Sequence, residues 1–406
     1  MKYKLALLAF ALFFSVFSAA QNRTLRGKVV VPTSSFENPG WPGRFMHTHV
    51  QVYLPSTQLP RPQTSGPPYL GYSYETPASL ACVYGLVTVV SGCNPNKVTA
   101  VPSGGSRMIA IVDAFDAPNA ASDLAHFSQQ FGLPPASFQV VYASGVQPAH
   151  DLGWELEASL DIEWAHAMAP QAQILLVEAA SNSITDLMAA EDVASRMVNA
   201  AHGGEVSNSW GSGEFSGETS YESHFLKAGV VFIASSGDNP GTSWPSVSQN
   251  VVAAGGTTVR RNPSNGNFLS EAAWDSAGGG VSWYETRPSY QSKITAVVGN
   301  YRGVPDVSFD SNPLTGVWIY DSNAGGWYIV GGTSVAAPAL AGVLNLAGSF
   351  YTSSNAQLAA MYAKVGVATS YTDISSGYCG PYSGYAAASG WDLCTGMGTA
   401  KGKTGK

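Results

Sequence analysis

Charge is scarce in this 406-residue chain: Asp, Glu, Lys and Arg make up only 12% of it, and Lys plus Arg total 20, spread thinly. That argues against a nucleic-acid or anionic-membrane partner, because both need clustered positive charge. The formal net charge is −7, and the surface must be carried by Ser, Thr, Asn, Gln and the 44 glycines. Such a surface changes little in charge when carboxylates protonate, which suits an acidic medium; compositional drift is the competing explanation. Long apolar runs are missing beyond the N-terminus, so no other stretch is expected to span a bilayer. The exception, "MKYKLALLAFALFFSVFSAAQN", has two lysines, an apolar run and then Ser18-Ala19-Ala20. That order predicts a secretory signal peptide over residues 1–20 and an exported protein, extracellular or periplasmic. Cysteines number only four, and export permits them to pair. Four cysteines allow three connectivities; the near pairs Cys82 with Cys93 and Cys379 with Cys394 favour the two local bridges. Zinc is disfavoured, since neither pair has metal-ligand spacing or a nearby histidine.

What is present is a large apolar fraction, 45%, ample for a sizeable core. Residues 21–74 read as a short N-terminal segment with one alternating run, "HTHVQVYLP", and a linker; no chemistry is visible there. From about Glu75 the chain alternates apolar runs ("RMIAIVDAF", "FQVVYAS", "AQILLVEAA", "GEVSNSW", "GVVFIASSG", "NVVAAGGT") with helix-like segments ("AASDLAHFSQQFG", "ITDLMAAEDVASRMVNAAH", "SYESHFLKAG"). This predicts an α/β fold with a mostly parallel sheet covered on both faces, whose sites collect at the C-terminal strand ends. No internal repeat is visible, and the tail 399–406 is expected to be disordered.

The stretch "GWELEASLDIEW" concentrates four acids in twelve residues. On a helix over 151–168, at about 100° per residue from Glu157, Asp161 falls near 40°, Trp154 near 60°, Met168 near 20° and Trp164 near 340°. Glu155, Ser159, Glu163 and His166 fall between roughly 160° and 240° and are expected to face solvent. Glu157 and Asp161 are thus neighbours on the apolar face. Burying both costs several kcal/mol unless they share a proton or find strong donors. Two readings follow: a pair satisfied by backbone N–H groups or an arginine, or a coupled acid/base pair with raised proton affinity.

A pair needs something to act on. In "IVGGTSVAAPALAG" a strand ends in two glycines, followed by Thr333, Ser334 and a small-residue helix with Pro338 expected in its first turn. Ser334 would then stand at a helix N-terminus, where partial positive charge favours a developing anion; the alternative is that Thr333 or Ser334 merely caps the helix. "VVFIASSGDNPG" brings Asp238 to the same rim, either as a turn residue or as a protonated acid donating to an oxyanion.

Together, E-x-x-x-D at Glu157 and Asp161, S-S-G-D at Asp238 and G-T-S-x-x-x-P at Ser334 resemble the sedolisin family of serine-carboxyl peptidases. "TPASLACVYGL" is similar to that family's mature-domain start, and the likeness covers roughly residues 75–398. The resemblance implies a subtilisin-like α/β fold and hydrolysis of protein or peptide substrates in acid; the chain is expected to be a monomer, with nothing in the sequence that fixes its oligomeric state. It implies Ser334 as nucleophile, Glu157 as base, Asp161 as its helper and Asp238 in the oxyanion hole. A histidine base, of ordinary pKa about 6.5, would be protonated in such a medium, whereas a glutamate is still a base there. It also implies a calcium site in "TDISSGYCGPYSGYAAASGWDLCTGMG", from the Asp373 and Asp392 side chains and the carbonyls of Ile374, Ala388 and Gly390; oxygen ligands suit Ca²⁺. The family usually carries a far longer propeptide than residues 21–74, which leaves that segment either a short propeptide or accessory strands. Rival readings are a tripeptidyl-peptidase of the same family, a glycosidase using the paired acids, and an inactive binding protein on the same fold.

Overall fold

The computed structural model describes residues 27–37, 40, 42–56, 66–380 and 385–404; the expected signal peptide lies outside them. Three short strands come first, β1 (Gly27–Val30), β2 (His47–Thr48) and β3 (Gln51–Pro55). Helix α1 (Pro77–Val83) is started by a reciprocal cap in which Thr76 accepts from the Ser79 N–H and Ser79 Oγ accepts from the Thr76 N–H. The alternating region follows as β4 (Met108–Ala114), α2 (Ala120–Phe131), β5 (Ser137–Tyr142), α3 (Leu152–Met168), β6 (Gln173–Ala179), α4 (Ile184–Ala200) and β7 (Gly204–Asn208). Then come β8 (Trp210–Gly213), β9 (Val230–Ser235), β10 (Ser243–Trp244), β11 (Val251–Arg261), β12 (Phe268–Ala273), β13 (Gly280–Thr286), α5 (Thr295–Val298) and β14 (Tyr301–Val304). The last long elements are β15 (Val307–Asp310), β16 (Val317–Asp321), β17 (Gly326–Gly331), α6 (Thr333–Ala347) and α7 (Ser354–Ala363). The six apolar runs are indeed β4, β5, β6, β7, β9 and β11. "SYESHFLKAG", read as helix-like, forms only 3₁₀ turns over Glu218–Phe225.

The main sheet runs β5-β6-β4-β7-β9-β11-β15, then a short strand Thr399–Ala400, all parallel, with Tyr371–Thr372 antiparallel at the far edge. Pleating sends Ile109 and Ile111 of β4 to the side of α3 and α6, and Ala110 and Val112 to the side of α4. Such a sheet buries both faces, which is why its strands read as unbroken apolar runs. A second, antiparallel sheet, β1-β3-β17-β16, lies beside α3.

That second sheet overturns one expectation. Glu155, Ser159, Glu163 and His166 do not face solvent; each is at most 1% exposed. Helix α3 is enclosed by α6 on one side and by α2 and β16 on the other. Its outer acids are therefore satisfied internally: Glu163 accepts from the Tyr320 N–H at 3.0 Å, and Glu155 pairs with His150 Nε2 at 2.6 Å and Asn323 Nδ2 at 2.7 Å. His166 Nε2 donates to the Pro134 carbonyl at 2.9 Å.

The tail is also ordered where it is described. Residues 399–400 pair with β15, Lys401 N–H donates to the Ser370 carbonyl at 2.9 Å, and 402–404 form a 3₁₀ turn. A place in the sheet between β15 and Tyr371–Thr372 supplies the backbone partners that its composition does not advertise. Both local disulfides are present, Cys82–Cys93 and Cys379–Cys394, with no free cysteine among the described residues. Among those residues no helix is long and apolar enough to cross a membrane.

Candidate active site

Strand β17 ends at Gly331, and the chain turns through Gly332 at φ 107° into α6. A Cβ on Gly332 would meet the His49 carbonyl oxygen at 1.9 Å and Asp238 Oδ2 at 2.6 Å, so only glycine passes here. Ser334 lies in the first turn of α6 and is fully buried. Its Oγ donates to the Ser209 carbonyl at 3.3 Å and its N–H donates to the His49 carbonyl at 3.3 Å. Gly332 occupies the cap position, so neither Thr333 nor Ser334 is there as the N-cap. Pro338 lies beyond the first turn, inside the helix. Lacking an N–H, it leaves the Ser334 carbonyl without its helical donor; Ser209 Oγ, at 3.3 Å, takes that place.

Glu157 and Asp161 are both fully buried on α3, which packs along α6. Asp161 Oδ1 accepts from Ser209 Oγ at 2.8 Å, while Asp161 Oδ2 and both Glu157 oxygens accept no well-formed hydrogen bond. The Ser334 and Thr48 hydroxyls nevertheless face Glu157 closely enough to oppose its protonation. Burial, then the neighbouring Asp113, outweigh them and hold Glu157 well above the ordinary carboxyl range. Asp161 is raised in the same way, by burial and then by Glu157. Neither acid finds a backbone N–H or an ion pair among the described residues. The satisfied-pair reading is thus not what the chain has built.

Asp238 follows β9, on the other side of Gly332. Its Oδ1 accepts from the Thr333 N–H at 2.7 Å and Thr333 Oγ1 at 2.9 Å, and its Oδ2 is buried without a partner. Burial pushes its pKa up to about 7, against the Thr333 bonds and the Gln51 side chain. Below that value the acid carries a proton, and the open Oδ2 is where it can be donated.

The cleft is not bare: residues 45–53 of the chain run through it. Phe45 bridges Ser183, Met46 N–H donates to the Asn182 carbonyl at 2.8 Å, and Asn182 Nδ2 donates to the Met46 carbonyl at 2.8 Å. On the opposite side β2 pairs antiparallel with β8, His47 against Gly211 and Thr48 against Trp210. Past Ser334, β3 pairs with β17, Gln51 against Gly331 and Tyr53 against Ile329.

The subtilase family model matches residues 154–370, which carry α3, β9 and α6. The chain is 27% identical over 356 residues to sedolisin of Pseudomonas sp. (strain 101), covering 76% of this chain and 60% of that protein. It is 30% identical over 348 residues to kumamolisin of Bacillus sp. (strain MN-32), covering 74% and 59%. Its fold superposes on Pseudomonas sedolisin, solved with two molecules of pseudo-iodotyrostatin, with a TM-score of 0.69 at 26% identity over 81% of this chain and 96% of that one. The chain belongs to the sedolisin branch of the subtilase family. It spans about 60% of the length of these two curated sedolisin relatives.

Within this sedolisin-type site the four residues singled out from the sequence do converge on one helix start. Three others were missed. Asp113, at the C-terminal end of β4, is buried with both oxygens unpartnered and raises Glu157 by its charge; its place at a parallel-strand end was the available signal. Ser209 ties Asp161 to the Ser334 carbonyl. His49 reaches the site through its carbonyl, which leaves no residue-type signal.

Asp373 and Asp392, expected as side-chain calcium ligands, lie on one loop with Ala388 and Gly390. Asp373 Oδ2 accepts from the Gly390 N–H at 3.0 Å, Asp392 Oδ2 from the Ala388 N–H at 3.0 Å, and Asp392 Oδ1 from the Cys394 and Thr395 N–H groups at 2.8 and 2.9 Å. The Cys379–Cys394 bridge closes the same loop. Among the described residues no group of three or more His, Cys, Asp or Glu gathers as a metal cluster. By type the expected ligands are all oxygen donors, which a hard cation such as Ca²⁺ takes and zinc does not favour, while in this loop the carboxylate oxygens accept from backbone N–H groups.

Proposed function

We propose that this chain is a secreted serine-carboxyl peptidase that hydrolyses internal peptide bonds in acid. The observation that carries the reading is a buried, cation-free carboxyl pair beside a serine hydroxyl, with an unpartnered carboxyl oxygen across the turn. Ser334 Oγ attacks the substrate carbonyl and Glu157 takes its proton, then returns it to the leaving amine. Burial and Asp113 keep Glu157's proton affinity high enough for that exchange, and Asp161, held by Ser209, orients it. The Ser334 N–H and the protonated Asp238 receive the oxyanion. Glycosidase chemistry has no use for the serine. Internal cleavage is favoured over tripeptide release because the cleft continues past a third residue, along Asn182 and Ser183.

The donor role of Asp238 sets the alkaline limit. With a pKa of about 7, the acid is mostly protonated at pH 5 and about one-tenth protonated at pH 8, so kcat/KM should fall roughly tenfold between them. Asp238→Asn supplies a permanent neutral donor of the same shape, and should flatten that limb. An unchanged limb in a pH–rate profile of the variant removes Asp238 from the oxyanion hole.

We also propose Ca²⁺, held by Asp373, Asp392 and the carbonyls of Ile374, Ala388 and Gly390, as a structural ion that neutralises the two acids and fixes the loop. EDTA should then lower Tm by several degrees, read by calorimetry of the same sample before and after calcium is restored. An unaltered Tm refutes the site.

A further inference from the structure

Three titratable side chains stand in one row across the C-terminal ends of β4, β6 and β5. Asp113 is registered directly against Glu178, and Glu178 against Tyr142. The alternation that sends Ile109, Ile111, Ile174 and Leu176 toward α3 puts all three on that same face. Neighbouring strands lie about 4.8 Å apart, so each group has the next beside it. β5 is the edge strand, and the row therefore leads from the base of the active site toward the outside of the sheet.

The row is buried without being satisfied. Asp113 and Glu178 are each 1% exposed. Neither Asp113 oxygen has a hydrogen-bond partner; Glu178 Oε1 accepts from the Ala117 N–H at 3.0 Å and its Oε2 from nothing. Asp116, next to Ala117 in the turn after β4, is close enough to raise Glu178's proton affinity by charge and by hydrogen bonding. It accepts from Gln147 Nε2 at 3.0 Å and is the first acid of the row that water touches, at 7% exposed. Facing the row are Glu157 and Asp161 from α3, Asp116 from the turn, and Tyr142 from β5; among the described residues none of these is ion-paired. Buried acids without partners destabilise a fold, so packing alone does not explain why Asp113 and Glu178 follow Ile111 and Leu176 on this face.

Glu157 has a use for such a row. Its proton affinity is held well above the ordinary carboxyl range, so in acid it must shed a proton before it can take the one on Ser334. A chain lying in the cleft covers its front, as Thr48 does here. We propose that Glu178, between Asp113 and Asp116, is the proton outlet of the active site, emptying Glu157 toward the sheet edge while the cleft is filled. The proposal rests on the peptidase reading above. Glu157 gives its proton to one Asp113 oxygen. Asp113, Glu178 and Asp116 in turn each accept a proton on one oxygen as they release one from the other, and Asp116 hands the last to a solvent water. Only two species change: Glu157 becomes a carboxylate and the water a hydronium ion. Glu178 touches neither substrate nor Ser334; it acts through Asp113.

The test compares hydrolysis of denatured casein by the wild-type protein and Glu178→Gln at pH 4. An amide of the same shape keeps the packing but cannot accept and release a proton. Glu178→Gln should lose about tenfold in kcat with KM unchanged, and its solvent deuterium isotope effect on kcat should exceed that of the wild type. Glu178→Ala, which opens a gap in the row, should regain activity as formic acid is added at constant pH, while the wild type should not respond. Should Glu178→Ala not fold, the isotope effect of Glu178→Gln decides alone. A Glu178→Gln protein with wild-type kcat overturns the proposal and leaves the peptidase reading standing. So does a lower kcat with an unchanged isotope effect and no response to formic acid, which would make Glu178 a structural residue. If the wild type leaves casein whole, both fall.

Discussion

Ser334→Ala should abolish hydrolysis of a denatured protein at pH 4, by about 10⁴-fold or more in kcat/KM, while the purified protein keeps its wild-type Tm within a few degrees. The size of the loss follows from the absence of any substitute. The site has one hydroxyl facing Glu157 from the helix start, and the other that faces it, Thr48, belongs to the segment filling the cleft. The small cost in stability follows from packing. The hydroxyl makes one long bond, 3.3 Å to the Ser209 carbonyl, and that carbonyl also accepts from the His49 N–H. Glu157→Gln should be nearly as damaging, since an amide of the same shape can neither take nor return the proton. Substantial activity in Ser334→Ala would mean that another nucleophile is at work, and in Glu157→Gln that another base is. A rise in Tm for Glu157→Gln would fit a carboxyl that sits buried without a well-formed bond.

How much of this was legible beforehand depends on what each residue does. Glu157 and Asp161 could be paired by helical arithmetic because both point at one neighbour, α6. The same arithmetic misplaced Glu155 and Glu163, because a helical wheel describes one helix and not the β16 and α2 layer that covers its far side. The central strands of the main sheet were legible since β4, β6, β7 and β9 are buried on both faces, while β5, at the edge and only half-buried, still carries its apolar run. Asp238 and Ser334 were visible because strand ends and glycine turns mark them. His49 was not, for a physical reason: it enters the site by backbone atoms, and any residue has those. Even so, the alternating run "HTHVQVYLP" gave its strands, β2 and β3. The ordered tail was hidden for a similar reason, as 399–400 is held by β15 and not by its own composition.

A second large effect should be seen in stability against pH. Beyond the active site, burial raises Glu178, Glu205 and Glu218 to about 8, Glu285 to about 7 and Asp321 to about 6, and Asp238 adds to them at about 7. Each of these is at most 2% exposed apart from Asp238. Near pH 4 the folded chain holds these protons, and the unfolded chain is already losing them. Between pH 4 and 8 the folded state therefore binds more protons than the unfolded one, so stability falls as pH rises. It is fully present below the ordinary carboxyl range and lost as pH climbs through the raised values. Among the described residues two ion pairs, Arg302 with Asp306 at 2.6 Å, fully buried, and Arg261 with Glu75 at 2.5 Å, nearly so, stand as a different kind of buried charge. Each pKa unit is about 1.4 kcal/mol. Discounted heavily for water penetration and relaxation, the six groups still sum to several kcal/mol, or about 10 °C in Tm. Calorimetry of Ser334→Ala, which removes self-digestion from the measurement, should show Tm at pH 8 below that at pH 4 by at least this much. A protein equally stable at both would mean that these carboxyls have found donors or water in solution, and the acid-adapted interior argued for Glu157 would lose its physical basis with them.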